Sequence, residues 1–150
     1  MVMSLSAAAS LAFSRASSVI NSVPAEGFAA VYPQVERFFS SFYERAKGGL
    51  IPSTLEAEVM AGERQCYIAL RGDDIVACAL SAVCPAGSIT WDFCAGDDDS
   101  EWPEEMMQMF EDWRAAMGVR LIVICRSGWV RRMDMRKRGY RETHRIMEMG

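Results

Sequence analysis

Apolar residues along the chain follow two spacings, which predict an ordered series of strands and helices. Short runs of β-branched and aliphatic residues indicate strands, whereas apolar residues repeated every three or four positions indicate helices. From residue 19 to residue 150 the pattern predicts the order β-α-α-β-β-β-α-β-α-β. The predicted strands are Val19–Val23, Gln65–Leu70, Ile75–Val83, Ser88–Ala95, Val119–Cys125 and Tyr140–Met147.

Capping and turn residues predict where the four helices begin and end. The first should follow Gly27, with Pro33 in its first turn, and end near Gly48. The second should open with the capping box Ser53–Glu56 and run to about Ala61. Pro103 and Gly118 should bound the third helix, and Ser127 and Gly139 the last.

The strand Val119–Cys125 is nearly continuous in β-branched and aliphatic residues. A strand of this kind is typical of positions covered on both faces of a sheet. We therefore expect it at the centre. The three preceding strands are separated only by short turns, and they should form an antiparallel meander.

The length of 150 residues suits one domain, and 51% hydrophobic with 24% charged residues is typical of a folded globular protein. We expect a helical or flexible extension over residues 1–18 and one α/β (α+β) domain over residues 19–150. The extension has no Lys or Arg before its apolar part, unlike a signal peptide. No membrane span is predicted, so the protein should be soluble.

Five cysteines and one histidine, His144, are the candidate metal ligands, and they lack recognisable ligand spacing. An odd number of cysteines in mostly apolar runs indicates buried, reduced thiols. We predict no metal site.

The charges are divided between two segments of the chain. Nine carboxylates and no basic residue lie between Asp92 and Asp112, whereas eight basic residues and two acidic ones lie between Arg126 and Arg145. These segments are either solvated faces or contact surfaces for copies of the chain, an acidic partner or nucleic acid. Nucleic acid is the least favoured, because no reading motif accompanies the arginines. The candidate partner-binding residues are Asp97, Asp98, Asp99, Glu101, Arg131, Arg132, Arg136, Lys137 and Arg138.

The segment from Gly128-Trp129-Val130 to Arg138-Gly139-Tyr140-Arg141-Glu142-Thr143-His144, together with the element order, resembles the GNAT acetyltransferase superfamily. It resembles the C-terminal segment of small acetyltransferase-like proteins of tailed bacteriophages. The resemblance implies a mixed, mostly antiparallel sheet of about six strands flanked by about four helices. It also implies acetyl-CoA in a gap between the strand ending at Ala95 and the strand Val119–Cys125, with its pyrophosphate on a glycine-rich loop at a helix N-terminus.

The corresponding loop departs from the family pattern. Residues 95–105 contain one glycine, six carboxylates and no basic residue. Carboxylates favour a helix N-terminus and could cap it, but they repel a pyrophosphate. Where many family members carry a proton-donating Tyr, four residues before the glycine of the Gly-aromatic step, this chain has Met135. Methionine cannot act as a general acid.

We therefore predict no catalytic and no cofactor-binding residues, although Cys94, Cys125, Tyr140 or His144 could approach the gap in a different register. The favoured hypothesis is a catalytically degenerate GNAT-fold protein that serves as a structural or accessory virion component through protein contacts. The alternatives are an active acetyl-CoA-dependent N-acetyltransferase and an inhibitor of a host protein. These hypotheses place it in the phage virion or the host cytoplasm, without membrane contact.

Overall fold

The computed structural model describes residues 19–45, 55–98, 101–125, 127–143 and 149. These residues form five strands and four helices in the order β1-α1-α2-β2-β3-β4-α3-β5-α4. The strands are β1 (Val19–Val23), β2 (Gln65–Arg71), β3 (Asp74–Cys84), β4 (Ser88–Gly96) and β5 (Arg120–Val123). The helices are α1 (Ala25–Arg45), α2 (Leu55–Met60), α3 (Trp102–Met117) and α4 (Ser127–Arg132).

The strands form one sheet in sequential order, antiparallel except for the parallel pair β4 and β5. The predicted meander of β2, β3 and β4 is confirmed. The predicted count of six strands is one too many for the described residues. Residues 140–143 are not extended into a strand, and the rest of that prediction, residues 144–147, lies outside the described residues.

The centre of the sheet is β3, and the prediction that Val119–Cys125 occupies it is wrong for the described sheet. Residues 75–81 of β3 are all buried, since helices cover both faces of the sheet there. In contrast, β5 lies at the end of the described sheet, and none of its residues is fully buried. The apolar run at residues 119–125 therefore predicted a strand correctly, but it did not predict the position of that strand in the sheet.

Helix α1 begins earlier than predicted, directly after Pro24. Pro33 consequently lies in the helix interior rather than in the first turn. The predicted end near Gly48 and the start of the capping box at Ser53 lie outside the described residues, whereas α2 continues to Met60 as expected.

The last predicted helix is divided at Asp134. The amide of Asp134 donates to the Arg131 carbonyl and that of Met135 to the Val130 carbonyl, while Asp134 has a φ of 50°. This pattern is a Schellman termination, which ends α4. A further single turn follows and ends at Gly139, whose φ is 96°. The prediction of Gly139 as a terminator holds, but the helix before it is not continuous.

Two hydrophobic cores lie on opposite faces of the sheet. Met106, Phe110 and Trp113 of α3 pack against Tyr67 and Trp91 on one face. On the other face, α1 and α2 bury apolar side chains that include Phe28, Phe39, Leu55 and Val59 against the sheet. Within the described part of the chain, no helix combines the length and apolar character needed to cross a bilayer.

Candidate functional site

The two strands expected to flank the cofactor gap are neighbours that diverge. Strand β4 pairs with β5 only from Ser88 to Trp91, and the last bond joins the Ile124 amide to the Trp91 carbonyl at 3.0 Å. On its other side, β4 has a bulge: Leu80 of β3 pairs with Phe93 while Ser81 pairs with Trp91. Asp92 is the extra residue. A bulge bends the strand that carries it, so the second half of β4 continues without β5 beside it.

The side chain of the bulge residue is held in an ion-pair network. Arg64 Nη1 lies 2.6 Å from Asp92 Oδ1, and Arg64 Nε lies 2.6 Å from Glu58 Oε2. Burial lowers the pKa of the Arg64 guanidinium, but its bonds to the two carboxylates outweigh burial and raise that pKa overall. Arg64 thus ties α2 to the bulge. Sequence reasoning missed this network, because no local spacing links residues 64 and 92.

Tryptophan side chains fill the space beside the open half of β4. The ring of Trp129, on α4, lies 6.0 Å from that of Trp102 and 6.4 Å from that of Trp91. Trp102 itself is buried. Three of the four tryptophans in the sequence therefore converge on the predicted gap. The three rings pack together beside the part of β4 that β5 does not pair with.

Trp102 contacts the loop after β4 through a hydrogen bond and through its ring. The indole Nε1 of Trp102 donates to the Asp97 carbonyl at 2.8 Å, and the Asp97 amide donates to the Val76 carbonyl at 2.8 Å. Both backbone groups of Asp97 are therefore engaged within the chain. The Trp102 ring packs so closely on Gly96 that a Cβ there would lie 2.7 Å from the ring.

One acidic side chain of this loop forms an ion pair, and others are exposed to solvent. Asp97 Oδ1 accepts from Arg37 Nη1 at 2.9 Å, at the rim of a shallow depression of about 400 Å³. Asp98 and Glu101 are exposed, and Asp99 lies outside the described residues. Glu101 is the N-cap residue of α3, but its side chain makes no capping hydrogen bond, contrary to the capping role expected for it.

Acetyl-CoA is the cofactor that the resemblance implies, and the described residues do not fit it well. A phosphate cradle needs free backbone donors or cations. Here the Asp97 amide is bonded to β3, and the side chains of Asp98 and Glu101 carry negative charge towards solvent. The three tryptophan rings also pack against one another next to the diverging strands.

The basic segment packs beside α3. Arg138 contacts Glu111 through Nε and Nη2, at 3.0 and 2.8 Å, and Glu104 through Nη1 at 2.6 Å. The bonds to Glu111 raise the pKa of Arg138 further above its ordinary value. Arg138 is thus occupied within the chain. The other four predicted basic residues, Arg131, Arg132, Arg136 and Lys137, are exposed.

The residues considered as proton donors are positioned as follows. Met135 is buried, with its sulfur 3.8 Å from Cys125 Sγ. Burial, and then the Glu111 carboxylate, raise the pKa of Tyr140 well above its ordinary value. Burial raises the pKa of Cys94 and of Cys125. His144 lies outside the described residues. The raised pKa values make Tyr140, Cys94 and Cys125 poorer proton donors near neutral pH.

The described residues contain no cluster of three or more His, Cys, Asp or Glu side chains suited to a metal ion. All five cysteines are free thiols. Cys66 Sγ and Cys78 Sγ lie 3.8 Å apart in the core, while Cys84 and Cys125 are exposed.

No protein-family model matches the sequence, and a search among curated proteins finds no match. Solved structures do match the fold. A probable acetyltransferase is 14% identical with a TM-score of 0.63, covering 88% of this chain and 96% of its own. A ribosomal-protein-alanine N-acetyltransferase from Brucella melitensis biovar Abortus 2308 is 9% identical with a TM-score of 0.61, covering 89% and 100%.

An aminoglycoside N-acetyltransferase in complex with CoA is also 9% identical, with a TM-score of 0.58, and the match covers 90% of this chain and 95% of that one. Identities of this size establish a shared architecture and leave the chemistry of the site open. The shared architecture covers the mixed sheet and the four flanking helices of this chain. The chain therefore has the fold of the GNAT acetyltransferases.

Proposed function

We propose that this protein uses the GNAT fold as a binding scaffold that works without acetyl-CoA, through contacts with other protein chains. The observation that carries the proposal is the position of Trp129, packed against Trp91 and Trp102 beside the open half of β4. An interior contact between large aromatic rings stabilises the fold. A ligand entering this space would have to displace it.

The charges of the loop support the same proposal. Two like charges at about 4 Å repel by roughly 1–4 kcal/mol in water or near a protein surface. Each unpaired carboxylate near a pyrophosphate would thus weaken binding by about fivefold or more. Asp98 and Glu101 are exposed at the N-terminus of α3, where the phosphate would lie.

The setting that we propose is a phage particle, in which the protein is a structural or accessory component. This part rests on the resemblance of residues 128–144 to small acetyltransferase-like proteins of tailed bacteriophages. In that setting the exposed acidic and basic residues would contact virion proteins or further copies of the chain.

An active acetyl-CoA-dependent N-acetyltransferase is the second candidate. The divergence of β4 and β5 after Trp91 favours it, because an open strand edge can hold an extended ligand by backbone bonds. The two candidates predict opposite results in the same experiment.

The experiment is calorimetric titration of the full chain with acetyl-CoA, accompanied by a thiol-release assay with a panel of amines. We expect no binding up to about 1 mM acetyl-CoA, a concentration that detects interactions of about 4 kcal/mol. Micromolar binding or thiol release above background would overturn the proposal in favour of the enzyme. The virion setting is tested separately, by the presence of the protein at a fixed copy number in purified particles; its absence from them would refute that setting alone.

A further inference from the structure

Two sets of exposed charged residues lie in the acidic loop and in the basic segment. Asp98 and Glu101 form the acidic set, at the N-terminus of α3. Arg131, Arg132, Arg136 and Lys137 form the basic set, in and after α4; Lys137 is 84% exposed and lies only at the 4.0 Å limit from Asp134. We call these six residues the bipolar face.

The two sets lie next to each other. The guanidinium of Arg132 is 5.9 Å from the ring centre of Trp129, and that ring is 6.0 Å from Trp102, the first residue of α3. Arg138 adds a second connection, because it follows the basic set directly and bonds to Glu104 in the first turn of α3. These contacts bring the basic segment and the N-terminal end of α3, next to which the acidic set lies, to the same part of the molecule, with Trp129 between them.

A surface of this kind is complementary to itself. A two-fold rotation about an axis through its middle places the acidic half of one copy on the basic half of the other, and the reverse, so both contacts form at once. Resting on the proposed function, we propose that the bipolar face binds a second copy of this chain in an isologous dimer. Trp129, half-buried between the halves, is the central apolar contact.

Nucleic acid fits this surface less well than a second copy does. A phosphate backbone approaching Arg131 and Arg132 would also meet Asp98 and Glu101, and the whole chain carries a net charge of −4. A second copy presents charges of both signs in the required order. Complementary charges at a rim mainly set orientation and association rate, so the dimer should depend strongly on salt.

The first test is sedimentation velocity of the full chain at several concentrations, at about 50 mM and about 500 mM salt. We expect a dimer at the lower salt and a rise of the dissociation constant of roughly tenfold or more at the higher salt. A chain that is monomeric at every concentration in both buffers would overturn the proposal. A dimer with the same dissociation constant in both would overturn it as well.

The second test uses charge reversal. One variant carries Asp98→Lys and Glu101→Lys, and another carries Arg131→Glu, Arg132→Glu, Arg136→Glu and Lys137→Glu. Each variant alone should be monomeric, because like charges then face each other in both contacts. An equimolar mixture should form a heterodimer, since one copy is now wholly basic and the other wholly acidic on this face.

The chain that carries all six reversals provides the last arm, and it should dimerise again. Circular dichroism verifies that each variant is folded. Folded variants that fail to restore the dimer, either on mixing or in the sixfold variant, would contradict the isologous arrangement. Neither outcome bears on acetyl-CoA binding, which the calorimetric titration decides independently, so failure of the dimer and failure of the cofactor-independent function are distinguishable.

Discussion

The indole ring of Trp102 lies directly against Gly96, at the point where β4 passes into the acidic loop. A Cβ built on Gly96 would be 2.7 Å from Trp102 Cε2 and 2.6 Å from the Cβ of Ala77. Real Cβ atoms do not approach other heavy atoms this closely. Glycine is required at position 96 because a larger residue would not fit, and not because of its backbone angles. The contact keeps Trp102 over the loop.

Gly96→Ala should therefore destabilise the protein by about 1–3 kcal/mol, the usual cost of forcing an extra methyl group into a packed site. Urea unfolding followed by circular dichroism measures the change. Gly128→Ala is the matched control, because no atom lies within 4 Å of the Cβ position at Gly128. The control should be neutral or stabilising by up to about 1 kcal/mol, since alanine favours helix more than glycine does. Equal losses in both variants would refute the packing explanation.

Features that depend on neighbouring residues could be predicted from the sequence, whereas features that depend on distant contacts could not. Local signals predicted the meander and the termination at Gly118, whose φ is 65°, because turn chemistry and alternation act within a few residues. The position of β5 at the end of the described sheet was missed, since the apolar run reports burial and not strand order.

At the candidate site, too, the local feature was predicted and the contacts between distant residues were missed. The acidic loop was visible in the sequence, but its pairing with Arg37 and the pairing of Arg138 with Glu104 join residues far apart in the chain. The convergence of Trp91, Trp102 and Trp129 was also invisible, because three separate elements carry them. Such contacts follow from the tertiary arrangement, which spacing alone does not encode.

Removal of Arg64 should cost far more stability than removal of Arg37. The Arg64 side chain is 12% exposed and serves Glu58 and Asp92, so Arg64→Met leaves two carboxylates without their partner. We expect a loss of about 2–4 kcal/mol. Arg37 is 57% exposed, and Arg37→Met should cost about 1 kcal/mol or less. Urea unfolding of the two variants decides this; comparable losses would show that the bulge network does not hold β4 in place.

All four tyrosines have a raised pKa, and burial is the first cause in each. The unfolded chain ionises its tyrosines near pH 10, whereas the folded chain keeps them protonated. The folded state therefore binds more protons above pH 10, and its stability falls as pH rises through that range. Tyr67, which is 1% exposed, should alone account for a loss of about 1 kcal/mol by pH 11.

Two measurements check this pH dependence. Urea unfolding should show stability declining from about pH 10 upwards, and tyrosinate absorbance should remain low until the chain unfolds. Tyr43→Phe, which removes the phenol that donates to Glu56 at 2.7 Å, should flatten the decline. Tyrosinate formation near pH 10 in a chain that is still folded would contradict the burial of these phenols.

The last prediction separates the two obstacles to acetyl-CoA, the tryptophan cluster and the loop charges. Trp129→Ala removes the ring between Trp91 and Trp102, and we expect it to cost about 1–3 kcal/mol because the ring is only half-buried. It should not confer acetyl-CoA binding, since Asp98 and Glu101 still repel the pyrophosphate.

Asp98→Asn with Glu101→Gln should likewise fail to bind, because the gap remains filled. The triple variant that combines these changes with Trp129→Ala removes both obstacles at once. It should show weak binding, by calorimetry, that neither parent variant has, a non-additive result that a double-mutant comparison detects. If Trp129→Ala alone binds acetyl-CoA as tightly as the triple variant, the carboxylates are no barrier and the aromatic cluster alone excludes the cofactor.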